Sequence, residues 1–211
     1  VSVPRNDERL RRYWDEHARS YDRQMRFFER TLFGGSRAWV CSQATGEVLE
    51  VALGTGLNLP LYPPGVHLTG IEWSPQMLAL ARRRADELGL VADLREGDAQ
   101  ALPFPDASFD SVVCTLALCA IPDEQRAIAE MSRVLKPGGR LLLLDHVPSS
   151  AWPLRAIQWL VELLTVPLGG EHLLRRPLRG VQGVGLEVEQ HDRFKLGVVE
   201  RLAARKPAPR T

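Results

Sequence analysis

The stretch Val48-Leu49-Glu50-Val51-Ala52-Leu53-Gly54-Thr55-Gly56 decides the fold: an apolar run of strand length, carrying one carboxylate, that ends in a Gly-x-Gly turn. Glycines at the carboxyl end of a buried parallel strand let the backbone approach a ligand with no Cβ in the way. Leu57-Asn58 then lead into an expected helix. Leu59 stands where the dinucleotide fingerprint Gly-x-Gly-x-x-Gly has its third glycine, and a leucine there is too bulky for close packing against a pyrophosphate.

Working outward, apolar runs alternate with amphipathic stretches, which is the pattern of βαβ units and a parallel sheet. Strands are expected at 66–71, 92–96, 112–118 and 140–146, with helices at 77–88, opened by Ser74-Pro75, and at about 122–135. Pro137-Gly138-Gly139 reads as the C-cap of that second helix. Two further strands are expected at 187–194 and 197–203, the latter as an antiparallel edge. Upstream, Tyr13, Trp14, His17, Tyr21, Phe27 and Phe28 recur near helical spacing, so residues 5–33 read as one or two amphipathic helices stopped by Gly34-Gly35.

The chain has 211 residues, 45% of them hydrophobic, enough for one domain with a sizeable core. Its 27 basic and 26 acidic side chains leave a net charge of +1, which gives no field to draw it onto nucleic acid. Cys41, Cys114 and Cys119 lack C-x-x-C spacing and read as reduced thiols, and the N-terminal order of residues is not that of a secretory signal; both point to a cytoplasmic setting. No apolar run approaches the ~18–20 residues that span a bilayer. No His/Cys/Asp cluster has metal-ligand spacing in the sequence, so no metal is expected.

Acids fall at the strand ends. Glu72 closes the second strand, where a carboxylate accepts from both hydroxyls of an adenosine ribose. Asp98-Ala99 follows the third, placed to accept from an adenine amino group while the next N–H meets a ring nitrogen. Glu50, in the first strand, is costly to bury without a cationic partner, which an ammonium or sulfonium on a ligand would supply.

Val48 to Gly56, Glu72, Asp98-Ala99, Leu102-Pro103-Phe104, Ser108-Phe109-Asp110 and the run Arg133 to Gly139 together resemble the ordered signature of class I methyltransferases of the ubiquinone/menaquinone-biosynthesis type. The resemblance implies an α/β, Rossmann-like fold: a seven-stranded, mostly parallel sheet with an antiparallel last strand and helices on both faces. It implies one domain over 1–211, divided into an N-terminal helical lid (1–35), a cofactor-binding core (47–147), a substrate cap (148–183) and the last two strands (184–206). The implied cofactor is S-adenosyl-L-methionine, leaving as S-adenosyl-L-homocysteine, with contacts at Glu50, Ala52, Gly54, Gly56, Asn58, Glu72, Trp73, Asp98, Ala99 and Thr115. Tyr13 and Tyr21 resemble the lid that closes over its methionine part. The family usually has glycine where this chain has Ala52, which implies a weakened methionine pocket unless φ stays negative there.

A narrower resemblance, carried by Leu61 to Gly65, Val113 to Cys119 and Asp145-His146-Val147, is to methyltransferase-like thiol S-methyltransferases and to bacterial phospholipid N-methyltransferases. The implied acceptor is a small molecule, a thiol, amine or hydroxyl, lipophilic in the lipid case. His146, at the end of a core strand, is the first candidate for general base and His172, in the cap, the second. The rival readings are a methyltransferase-fold binding module without turnover, motivated by Ala52, and an NAD(P)-dependent oxidoreductase, disfavoured by Leu59. Trp152, Ile157, Trp159, Leu160, Leu163 and Leu164, beside Arg155 and Arg175-Arg176, form an apolar helix face with two readings: packing on the domain or lining a hydrophobic pocket, or peripheral contact with a membrane.

Overall fold

The computed structural model describes residues 5–208, so the ends of the expected lid and of the tail after Lys206 lie outside the described residues. The seven strands β1 (Glu47–Val51), β2 (His67–Glu72), β3 (Ala92–Glu96), β4 (Phe109–Thr115), β5 (Leu135–His146), β6 (Glu187–Phe194) and β7 (Val199–Arg205) form one sheet in the order β3-β2-β1-β4-β5-β7-β6. β1 to β5 pair in parallel, and β7 runs antiparallel to both β5 and β6. The expected fold class is the one observed. β7, expected at an edge, is interior: its buried Leu202 and Ala204 join the core, and the polar β6 takes the edge instead.

The helices are α1 (Arg5–Phe28), α2 (Ser36–Cys41), α3 (Pro75–Leu88), α4 (Glu124–Val134), α5 (Trp152–Gly169) and α6 (Pro177–Gly183). A π-helical turn, Glu29–Phe33, continues α1 up to Gly34. The alternation along β1, β4 and β5 splits the core in two. Leu49, Val112, Cys114, Leu141 and Leu143 pack on α4 and α6, while Val48, Val113, Leu142 and Leu144 pack on Val40 of α2 and Met25 and Phe33 before it.

Two local expectations fail. The glycine turn is followed by a single 3-10 turn, Leu59–Leu61, because Pro60 and Pro63-Pro64 leave no room for an α-helix. Gly138 is not a C-cap: α4 ends at Val134, and Gly138, at φ 79°, sits in an irregular start of β5 where the pairing with β4 shifts register. By contrast α3 starts as its sequence dictates, with Pro75 in the first turn and Ser74 Oγ accepting from Met77 N at 3.2 Å.

Among the described residues no helix is long and apolar enough to cross a membrane. The packing reading of α5 is not met, because Trp152, Ile157, Trp159, Leu160, Leu163 and Leu164 all stay exposed.

Candidate active site

A cleft opens at the carboxyl ends of β1 to β4, beside the switch point where β1 lies between strands of opposite crossover sense. Ala52 and Gly54 line it after β1, Glu72 and Trp73 after β2, Asp98 and Ala99 after β3, and Thr115 and Leu116 after β4. Trp14 and Tyr21 of α1 cover it, and Arg37 of α2 closes its wall. Of the residues expected to contact a cofactor, Tyr21, Ala52, Gly54, Glu72, Trp73, Asp98, Ala99 and Thr115 therefore come together.

Glu72 is held on both oxygens by backbone: Gly54 N–H donates to Oε2 and Ser74 N–H to Oε1, each at 2.8 Å. Burial raises its pKa, and these N–H groups pull it back. Asp98 Oδ1 accepts from Gln100 N at 2.8 Å, which fixes its carboxylate at the cleft wall. Gly54, at φ 60°, has open space where a Cβ would point. Ala52 and Leu116 are non-glycine residues in the left-handed region, both at φ 54°, so two strained residues line the cleft just after the adjacent strands β1 and β4. The condition that φ stay negative at Ala52 is not met: the chain turns there so that Leu53 N reaches Ile71 O, 3.0 Å away on the neighbouring strand.

Four expected contacts are placed elsewhere. Gly56 turns away from the cleft: a Cβ there would lie 2.7 Å from Leu59 and 3.3 Å from the Ala81 backbone, so this glycine serves packing. Tyr13 stacks on His17 with centroids 4.0 Å apart and lies against Gly169 of α5, one helix position off the cleft, which Trp14 faces instead. Glu50 and Asn58 lie behind the wall. Tyr62 Oη donates to Glu50 Oε2 and Asn58 Nδ2 to Glu50 Oε1, each at 2.8 Å, and Asn58 Nδ2 also reaches Thr115 Oγ1 at 2.9 Å.

Arg37 completes this network from α2, donating to Thr115 Oγ1 at 2.8 Å and Asn58 Oδ1 at 3.1 Å while pairing with Glu29. Glu50 thus has its polar partners within the protein, and burial still pushes its pKa up to about 7. The sequence held no signal for Arg37, which reaches the site across 78 residues. It also missed the straps of α1: Asp15 accepts from Ser74 Oγ at 2.5 Å, and Asp22 accepts from Thr55 Oγ1 at 2.6 Å and pairs with Arg84.

Residues 49–143 match the sequence model of a family described as "Methyltransferase domain". That segment, from β1 to β5, is similar to a methyltransferase domain. The chain is 44% identical over 115 residues to a phosphatidylethanolamine N-methyltransferase of Cereibacter sphaeroides, covering 54% of this chain and 57% of the relative. It is 39% identical over 126 residues to a demethylmenaquinone methyltransferase of Thermus thermophilus, covering 55% and 57%, and 34% identical over 141 residues to a thiol S-methyltransferase of Homo sapiens, covering 63% and 56%. The chain thus spans little more than half the length of these curated relatives. Among solved structures, an S-adenosylmethionine-dependent methyltransferase of Thermotoga maritima superposes with a TM-score of 0.72 at 22% identity, over 92% of this chain and 99% of the other. The [4+2]-cyclase SpnF superposes at 0.65 and 23% identity, over 82% and 79%, so the likeness of shape speaks for the fold alone.

A second group of polar side chains gathers at the carboxyl ends of β4 and β5. Asp145, Cys119 and His146 bring their ligand-type atoms within 4.8 Å of one another. Sequence spacing gave no sign of this group, since residues 26 apart meet only through β4–β5 pairing. The cluster is internally bonded: Asp145 accepts from His146 N at 2.8 Å, from Cys119 N at 3.3 Å and from the Cys119 thiol. Burial pushes Asp145 up to about 7 and His146 below the usual histidine range, and Glu171 is the strongest charge acting back on His146. His146 Nδ1 is buried without a hydrogen-bond partner. His172 is tied down instead, its Nδ1 3.2 Å from Glu162 and its backbone N–H donating to Cys119 O. Tyr21 joins the two regions: it lines the cleft, burial raises its phenol to about 12, and Arg37, Cys119 and Glu171 all act on it.

Proposed function

We propose that this chain is an S-adenosylmethionine-dependent methyltransferase for a small-molecule thiol, amine or hydroxyl acceptor, and that it releases S-adenosylhomocysteine. The observation that carries the reading is Glu72, a buried carboxylate aimed into the cleft and fixed on both oxygens by backbone donors, with lone pairs left for two ribose hydroxyls. The remaining donor set fits the same ligand. Asp98 and Ala99 suit an adenine edge, the open space at Gly54 admits a chain close to the backbone, and the Arg37 guanidinium on the cleft wall complements an α-carboxylate.

Bound S-adenosylmethionine supplies an electrophilic methyl group on a sulfonium sulfur. What remains for the protein is alignment, exclusion of water and custody of one proton. Trp14 and Tyr21 cover the cleft, with α1 strapped down by Asp15 and Asp22. His146, held neutral by burial, has a free Nδ1 to take the acceptor's proton, and Glu171 stabilises the imidazolium that results. The three buried, free cysteines suit a reducing compartment, the cytoplasm.

The relatives are named for acceptors from a phospholipid to a thiol, and these compounds form the first screen. Calorimetric titration with S-adenosylmethionine, S-adenosylhomocysteine and NADH tests the cofactor. Both adenosyl ligands are expected to bind, and Glu72→Ala to weaken them by more than about tenfold, or ~1.4 kcal/mol. Binding of NADH alone would overturn the reading. The strained Ala52 favours one rival, a binding module without turnover, and adenosyl-ligand binding with no methylation of any thiol, amine or phenol would establish it.

A further inference from the structure

α5 is amphipathic in the reverse of the usual sense. Its inward stripe is polar: Gln158 accepts from Ser149 N at 2.7 Å and donates to Val147 O at 3.0 Å, Glu162 meets His172, and Thr165 Oγ1 donates to Glu171 O at 2.8 Å. Its outward stripe carries Trp152, 78% exposed, Leu164, 65% exposed, and Ile157, Trp159, Leu160 and Leu163 between them. A helix facing water has its polar stripe outward. This one is attached by hydrogen bonds and presents its hydrocarbon to the surroundings.

A second element adds to the same surface. The Lys195–Leu196 turn between β6 and β7 holds two non-glycine residues at φ 53° and 57°, with Leu196 69% exposed. Leu196 O accepts from Ser149 Oγ at 2.7 Å and Ser150 N at 2.9 Å, so the turn is fixed beside the first turn of α5. Backbone strain that holds a leucine out in solvent serves no packing need inside the chain.

We propose that the outward face of α5, with the Lys195–Leu196 turn beside it, docks on the surface of a lipid bilayer that carries anionic headgroups. Charge selects this occupant. The single acid of α5, Glu162, is turned inward, and the exposed charges at this end of the patch, Arg155 and Lys195, are both cationic. Tryptophans beside cations are the composition of a helix lying in the headgroup layer, and 18 residues at 1.5 Å each make a rod of about 27 Å along that plane. The inner stripe of the same helix holds Glu171 and His172 over the second cluster, so the bilayer would lie above the acceptor's entry. That last link rests on the methyl-transfer reading, whereas the surface itself does not.

Flotation of the full chain with phosphatidylcholine vesicles, and with phosphatidylcholine–phosphatidylglycerol vesicles, tests the docking. The wild type is expected to float with vesicles, more strongly with the anionic ones. Leu160→Glu/Leu164→Glu, both changes on the outward face, should lower partitioning by at least about tenfold, with thermal midpoint and S-adenosylhomocysteine affinity unchanged. Trp159→Ser serves as a milder variant should the double one fail to fold. No flotation of the wild type would overturn the proposal, as would flotation that neither variant reduces. Sedimentation without lipid, showing a dimer that the same changes dissociate, would assign the face to a second copy instead if flotation is absent. Loss of S-adenosylhomocysteine binding in the wild type would break the methyl-transfer reading alone and leave the vesicle result standing.

Discussion

α4 and α5 are both amphipathic, and they face opposite ways. α4 turns Ala127, Ile128, Met131 and Val134 into the sheet and leaves Gln125, Arg126 and Ala129 exposed, so the hydrophobic effect holds it. α5 turns Gln158, Glu162 and Thr165 inward and its leucines and tryptophans outward, so in water it is held by hydrogen bonds to backbone. One helix exists to stabilise the domain. The other leaves its apolar face uncovered by the described residues.

The largest effect should come from α4. Met131→Ala removes a fully buried side chain and is expected to cost ~3 kcal/mol in urea unfolding; a loss under ~1 kcal/mol would mean that α4 is not the core helix described. Charge beneath the site side comes next. Asp145 titrates near 7 in the fold, far above its unfolded value, so it binds a proton that the unfolded chain releases. Stability from this group is full at pH below the unfolded pKa and is lost as pH rises towards and through 7. Asp145→Asn should flatten the decline of unfolding free energy between acid and neutral pH, and an unchanged slope would exclude Asp145 as its source.

Next in size, Gln158→Ala strands Ser149 N and Val147 O in a buried place and should cost ~2 kcal/mol. Leu164→Ser, two turns away on the outward face, should stay within ~0.5 kcal/mol in the absence of lipid. If the leucine proves the costlier change, α5 packs on something in solution, and the contrast with α4 disappears.

The sequence by itself determined what neighbours along the chain can determine. The alternation of apolar runs and amphipathic stretches set the strands, and the glycine turn with the acids Glu72 and Asp98 set one wall of the cleft, because each lies at the end of its own strand. It also set the composition of α5's apolar face. The tertiary structure alone decided which way that face points, since a helix of either sense has the same periodicity. It put Trp14 rather than Tyr13 on the cleft, a matter of helix phase against α3 and α5. It brought Arg37 to Thr115 and Asp145 to Cys119, pairs joined only when strands and helices distant in sequence pack together. It gave Glu50 its partners in Tyr62 and Asn58, and placed β7 inside the sheet, because burial and pairing are properties of the assembled core. Local pattern fixes elements and the residues at their ends, while the partners of a buried polar group are fixed only by what the fold sets against it.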